Sequence, residues 1–163
     1  RPRQPRQDSV AVADVITKAM AFLGSEFQRC GVEVHSSLGA DIVVYGDADL
    51  LYRAFYNILS NACQAINGTG SIFIDGAVRD DGHVLLTFRD SGPGFGADAL
   101  AKAMDPFFTT KDSGTGLGLP IVQAIVDSHG GRMTLSDAPE GGAVITLEFP
   151  AHKPAPSEGN EHE

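Results

Sequence analysis

The pattern Gly-x-Gly-x-Gly occurs twice, at Gly92-Pro93-Gly94-Phe95-Gly96 and at Gly114-Thr115-Gly116-Leu117-Gly118. Almost no hydrophobic periodicity runs from Asp90 to Gly116, apart from a predicted short helix near 97–104. Connectors in compact domains run about 2–6 residues, so a stretch this long is expected to be functional, either lid-like or disordered. Glycine supplies 19 of the 163 residues. That is about 12% against a usual value near 7%, and the excess gathers at the borders of this stretch. Such placement points to backbone built for close approach or unusual φ rather than to general flexibility.

The rest of the chain must fold around that segment. A length of 163 residues suits one domain with a full core, and 42% hydrophobic residues exclude disorder for its body. The net charge is −9, and three of the twelve cations, Arg1, Arg3 and Arg6, crowd the first six residues, so a nucleic-acid surface is excluded. No apolar run approaches the roughly 18 residues of a membrane span, and the polar start is no signal peptide. The chain reads as an excised fragment with a leader over 1–7, a domain over 8–150 and a disordered Pro/Glu tail over 151–163. Cys30 and Cys63 are read as core thiols in a reducing compartment.

Apolar positions at helical spacing predict an opening helix from Asp8 to Arg29, ended by Gly31. Strands follow at Val32–His35 and Ile42–Tyr45. Asp47 is positioned to cap a long helix reaching Ile66, where Asn67-Gly68 breaks it. Strands at Ser71–Val78 and Val84–Phe88 meet through Asp80-Asp81-Gly82, a hairpin signal. A helix over Leu117–His129 precedes strands at Arg132–Ser136 and Ala143–Phe149, which flank Glu140-Gly141-Gly142. Hairpin-linked strands with helices gathered separately imply an α+β, two-layer α/β sandwich, with a mixed, mostly antiparallel sheet against a helical layer.

Four constellations carry possible chemistry. Asn57 and Asn61, four apart on one helical face with Arg53 one turn earlier, fit either a Mg²⁺ ligand with its support or a hydrated face. Asp90 at a strand end before Gly92, Gly94 and Gly96 can accept from a buried ligand amine beside a flat ring, although an Asp-rich turn looks similar. Asp105-Pro106-Phe107-Phe108-Thr109-Thr110-Lys111 combines anchoring aromatics with one cation. Gly114 to Leu119 opens a helix, where backbone N–H groups favour anions; no Gly-Lys-Ser/Thr follows, so it is not a P-loop, and no strand precedes it as in a Rossmann turn.

In this order the four segments resemble the N, G1, F and G2 boxes of the ATP-binding catalytic domain of sensor histidine kinases, within the GHKL superfamily of the Bergerat fold. The likeness covers roughly Val10 to Pro150. It implies that Asn61 binds Mg²⁺ with help from Asn57 and that Asp90 holds the adenine amine in a pocket shaped by Gly92 and Gly94. It further implies that Phe107 and Lys111 belong to the lid and that Gly114, Thr115, Gly116, Leu117 and Gly118 close over the phosphates. Where the family often carries a lysine three residues after the metal-binding Asn, this chain has Gln64; Lys111 or Arg53 could supply that phosphate contact.

The expected activity is ATP-dependent transfer of the γ-phosphoryl to a histidine on a separate dimerisation domain, feeding a response regulator, in the cytoplasm. Contact with nucleic acid or membrane is not expected of this domain. None of His35, His83, His129, His152 and His162 has the helical His-Glu/Asp setting of a phosphoacceptor. Three other readings stand beside this one: a gyrase- or chaperone-like ATPase, an anti-sigma-type serine kinase and a non-catalytic nucleotide-binding module. The first of these uses a glutamate one turn before the metal-binding Asn, where this chain has Asn57.

Overall fold

The computed structural model describes residues 7–102 and 118–151. Its main sheet has five strands, β2 (Val32–Ser36), β4 (Gly70–Val78), β5 (Val84–Asp90), β7 (Ala143–Phe149) and β6 (Arg132–Asp137), in that spatial order. The β2–β4 pair is parallel and the other three are antiparallel. A parallel pair needs a long crossover, and the chain between β2 and β4 contains the 19-residue helix α3 (Ala48–Ile66). Helices α1 (Val12–Phe22), α3 and α5 (Gly118–Ser128) supply the second layer, so the expected two-layer sandwich and mixed sheet are what form.

Alternation fixes which side of the sheet meets the helices. In both β5 and β7 every second residue is buried, Val84, Leu86 and Phe88 on one and Ala143, Ile145, Leu147 and Phe149 on the other. All but Ala143 pack with Phe55, Ile58 and Leu59 of α3 in a single core. Asp47 caps α3 as its sequence position suggests, its Oδ1 accepting from the N–H groups of Asp49 (3.0 Å) and Leu50 (3.2 Å). Asn67 ends the helix in the left-handed conformation.

At the N-terminus the fold departs from the helical reading. Asp8–Ala11 is a strand, β1, paired antiparallel with β3 (Val43–Gly46), and the helix after it breaks at Leu23 into α1 and α2 (Gly24–Cys30). Val10 is buried through that pairing; continued as a helix, the chain would have turned it to the face opposite Val12, Val15, Ile16 and Ala19, so strand pairing is what covers it. Leu23 sits at φ −90°, ψ 3° and is 2% exposed; it serves as C-cap to one helix and N-cap to the next. Other boundaries fall within two residues of expectation, including the short helix α4 (Ala97–Lys102) and the hairpin at Asp80–Gly82, closed by Arg79 N–H to His83 O at 2.8 Å.

The Cys63 thiol is in the core, and Cys30 is half-buried against it. Burial, followed by a hydrogen bond with Cys30, pushes the Cys63 thiol up to about 12. His129 at the end of α5 is likewise structural. Its Nδ1 faces Ile125 O at 2.8 Å and its Nε2 accepts from Asp47 N–H at 3.0 Å, which places the ring proton on Nδ1 and ties α5 to the start of α3.

Candidate functional site

The alternation that buries β5 does not stop at its last residue. Asp90 takes the inward position after Phe88 and is 6% exposed, a carboxylate where the pattern calls for an apolar side chain. Such burial is costly without donors. Two are present: Gly92 N–H at 2.8 Å and Ala143 N–H at 3.3 Å. Both converge on Oδ1, and among the described residues no donor reaches Oδ2. Asp90 lines a cavity whose apolar walls include Ile58, Phe95, Leu119 and Ile145, with Asn61 and Arg89 as its other polar lining residues. A largely apolar cavity with one unfilled acceptor fits a heterocycle that carries an amine.

Asn61 is set in place by packing. It lies half-buried on α3, and the first residue of α5 comes against it: a Cβ on Gly118 would lie 2.4 Å from Asn61 Nδ2 and 3.1 Å from its Oδ1. A side chain there would push the Asn61 amide aside, so glycine at 118 leaves that amide its place, and both residues stand beside the Asp90 cavity.

The other predicted positions divide. Asn57 is half-buried one turn before Asn61 but does not line the cavity. Gly92 and Gly94 do not line it either; Gly92 shapes the turn through its bond to Asp90, and Gly94 takes φ +88°. Phe107, Lys111, Gly114, Thr115, Gly116 and Leu117 lie outside the described residues, and with them most of the expected lid. Arg53 and Gln64 are exposed.

Three contributors escaped the sequence reading. Ala143 donates to Asp90, Gly142 approaches the Asp90 carbonyl, and Asp137 binds the loop that follows. All three come from β6, β7 and the turn between them. The register that pairs Arg89 with Val144 and Asp137 with Ala143 brings them abreast of Asp90. The doubled glycine at 141–142 was the available signal, but its neighbour could be identified only from strand order.

Burial pushes the Asp90 carboxyl above the usual carboxylate range, against the pull of the Gly92 and Ala143 N–H groups, and the nearby Asp137 charge adds to the rise. Because the folded value lies above the unfolded one, the ionised side chain is a cost to the fold at pH above the folded value. That cost disappears as the pH falls to the unfolded value. Asp90→Asn is neutral throughout. In urea unfolding its stability relative to the parent chain is expected to rise with pH through the acid range and then level off, whereas a difference independent of pH would refute the account.

Known proteins resemble this chain in sequence and fold. The sequence profile of the family described as "Histidine kinase-, DNA gyrase B-, and HSP90-like ATPase" matches residues 46–153. The chain is 38% identical over 133 residues to the signal transduction histidine-protein kinase BaeS of Escherichia coli (strain K12), covering 78% of this chain and 28% of that protein. With AtoS, a signal transduction histidine-protein kinase of the same organism, identity is 33% over 151 residues, covering 92% and 25%. The chain thus spans between a quarter and a third of these relatives. Among solved structures, the nucleotide-free catalytic domain of histidine kinase ThkA matches with a TM-score of 0.81 at 26% identity, over 89% of this chain and 95% of that one. The mycobacterial sensor histidine kinase MprB matches at 0.77 and 28%, over 91% and 99%.

Proposed function

Because the chain belongs to the family of histidine kinase-, DNA gyrase B- and HSP90-like ATPases, we propose that it is the nucleotide-binding catalytic domain of a two-component sensor kinase. In this reading it binds Mg-ATP and presents the γ-phosphoryl to a histidine on a separate dimerisation domain, from which a response regulator is served in the cytoplasm. One observation carries the reading: a buried carboxylate with one oxygen unfilled, in an apolar cavity that also holds an amide. Asp90 would take the adenine amine, Phe95 and Leu119 would cover the ring, and Asn61 would offer its side-chain oxygen to Mg²⁺ with Asn57 in support. The metal neutralises charge on the phosphates when bound. Gly114, Thr115, Gly116, Leu117 and Gly118, with Phe107 and Lys111, would enclose the phosphate end. A chain of net charge −9 can hold a polyanion in this way, through Mg²⁺ and backbone N–H groups, without a basic surface.

Asn57 favours phosphoryl transfer over hydrolysis. An amide one turn before Asn61 cannot serve as a base toward water, help that is worth roughly 10²–10⁴-fold. Given radiolabelled ATP, the chain is expected to label a supplied dimerisation domain on histidine, to leave itself unlabelled and to release phosphate slowly. Asn61→Ala is expected to remove the Mg²⁺ dependence of ATP binding in calorimetry. Rapid phosphate release by the pure chain would point to the ATPase branch, and ATP binding without transfer to any supplied acceptor would point to a binding module.

A further inference from the structure

We propose that Asp137 is the positioning residue of the base pocket: its carboxylate seats the loop after Asp90 so that Phe95 forms a wall of the cavity. The inference rests on the nucleotide-binding reading above.

Hydrogen bonds to that loop are unusual in kind. Gly92 N–H goes to Asp90, while Phe95 N–H meets Asp137 Oδ1 at 2.7 Å and Gly96 N–H meets Asp137 Oδ2 at 2.9 Å. Three amides of one short loop are therefore satisfied by carboxylates of two different strands rather than by backbone. Successive N–H groups after a residue of positive φ form a concave anion seat, and Asp137 fills it with both oxygens. Gly94 is shaped for the arrangement: at φ +88° its Cβ would lie 2.9 Å from Asp137 Oδ1. Between its two anchors the loop delivers Phe95, half-buried against the core, to the cavity that contains Asp90 and Leu119.

Asp137 touches backbone and does not line the cavity, so its effect on a ligand passes through Phe95. A wall held in advance spares binding the cost of ordering it. Removing the carboxylate frees two N–H groups and the Phe95 side chain together. That loss falls on the base end of a nucleotide and not on its phosphates.

The test is calorimetric titration of the full chain with ATP and with adenosine, with and without Mg²⁺, for the parent, Asp137→Ala and Asp137→Asn. Asp137→Ala is expected to weaken ATP and adenosine by the same factor, about tenfold, with the Mg²⁺ dependence of ATP binding unchanged. Asp137→Asn keeps one acceptor but turns an NH₂ toward the other N–H, and is expected to fall between the two. Should the alanine variant fail to fold by circular dichroism, the asparagine variant carries the same comparison. Parental affinity for both ligands in folded variants overturns the proposal, as does a loss confined to ATP. A parent chain that binds neither ligand would instead sink the nucleotide reading itself.

Discussion

Asp90→Ala is expected to lower ATP affinity by about 10- to 150-fold, the worth of a hydrogen bond to a charged group, roughly 1.5–3 kcal/mol. The argument depends on where the carboxylate stands. Gly92 and Ala143 hold Oδ1, so the side chain is oriented before any ligand arrives, and Oδ2 remains for a donor in the cavity. Adenine presents an exocyclic amine there, whereas guanine presents a carbonyl oxygen that would face an acceptor with an acceptor. GTP is therefore expected to bind poorly to the parent chain, and the alanine variant should lose most of the preference. Asp90→Asn sharpens the test, because an amide keeps the shape and can turn either group toward the base; it should lose less affinity than alanine and narrow the gap between ATP and GTP. Titration calorimetry of both nucleotides, with circular dichroism as the check on folding, decides the matter. If both variants bind ATP like the parent, the adenine pocket lies elsewhere.

A second large effect is expected at a residue that touches no ligand. A Cβ on Gly142 would lie 1.9 Å from the Asp90 carbonyl oxygen, at φ +104°. Backbone is what it meets, so no rotamer change relieves the clash. The expected cost of Gly142→Ala combines about 1–3 kcal/mol of backbone strain with a similar overpacking penalty, about 2–6 kcal/mol in all. Gly141 is the internal control, with φ +106° and nothing within 4 Å of its Cβ, so Gly141→Ala bears the strain alone. Urea unfolding of the two variants separates contact from conformation. Equal destabilisation would mean that β7 can shift away from β5, and Asp90 would then not be as firmly seated as its bonds indicate.

What could be read from the sequence was whatever repeats locally. Helix α3 was legible because its cap, its apolar face and its stop at Asn67 all lie within one stretch. Strands β5 and β7 were legible because alternation is local too, and the same alternation made Asp90 conspicuous as a charge ending an apolar run. The β1–β3 pairing was not, since four residues are too few for alternation to declare a strand and its partner lies beyond α1, α2 and β2. Asp137 could not be found at all: its bonds span 41 and 42 residues, and nothing in Ser136-Asp137-Ala138 distinguishes it from an ordinary acidic turn. Order of motifs pointed to the family, whereas strand order determined which residues hold Asp90 steady.

Helix α5 meets α3 twice, once where Gly118 lies against Asn61 and once where His129 accepts from the Asp47 amide. Its eleven residues reach about 16 Å. The helix is therefore held close to α3 at both ends, by close approach at one and by a hydrogen bond at the other. Asp47, the cap of α3, directly follows β3, the strand that pairs with β1. Asn61 beside the cavity and the β1–β3 pair at the opposite end of α3 are thus joined by one packed pair of helices.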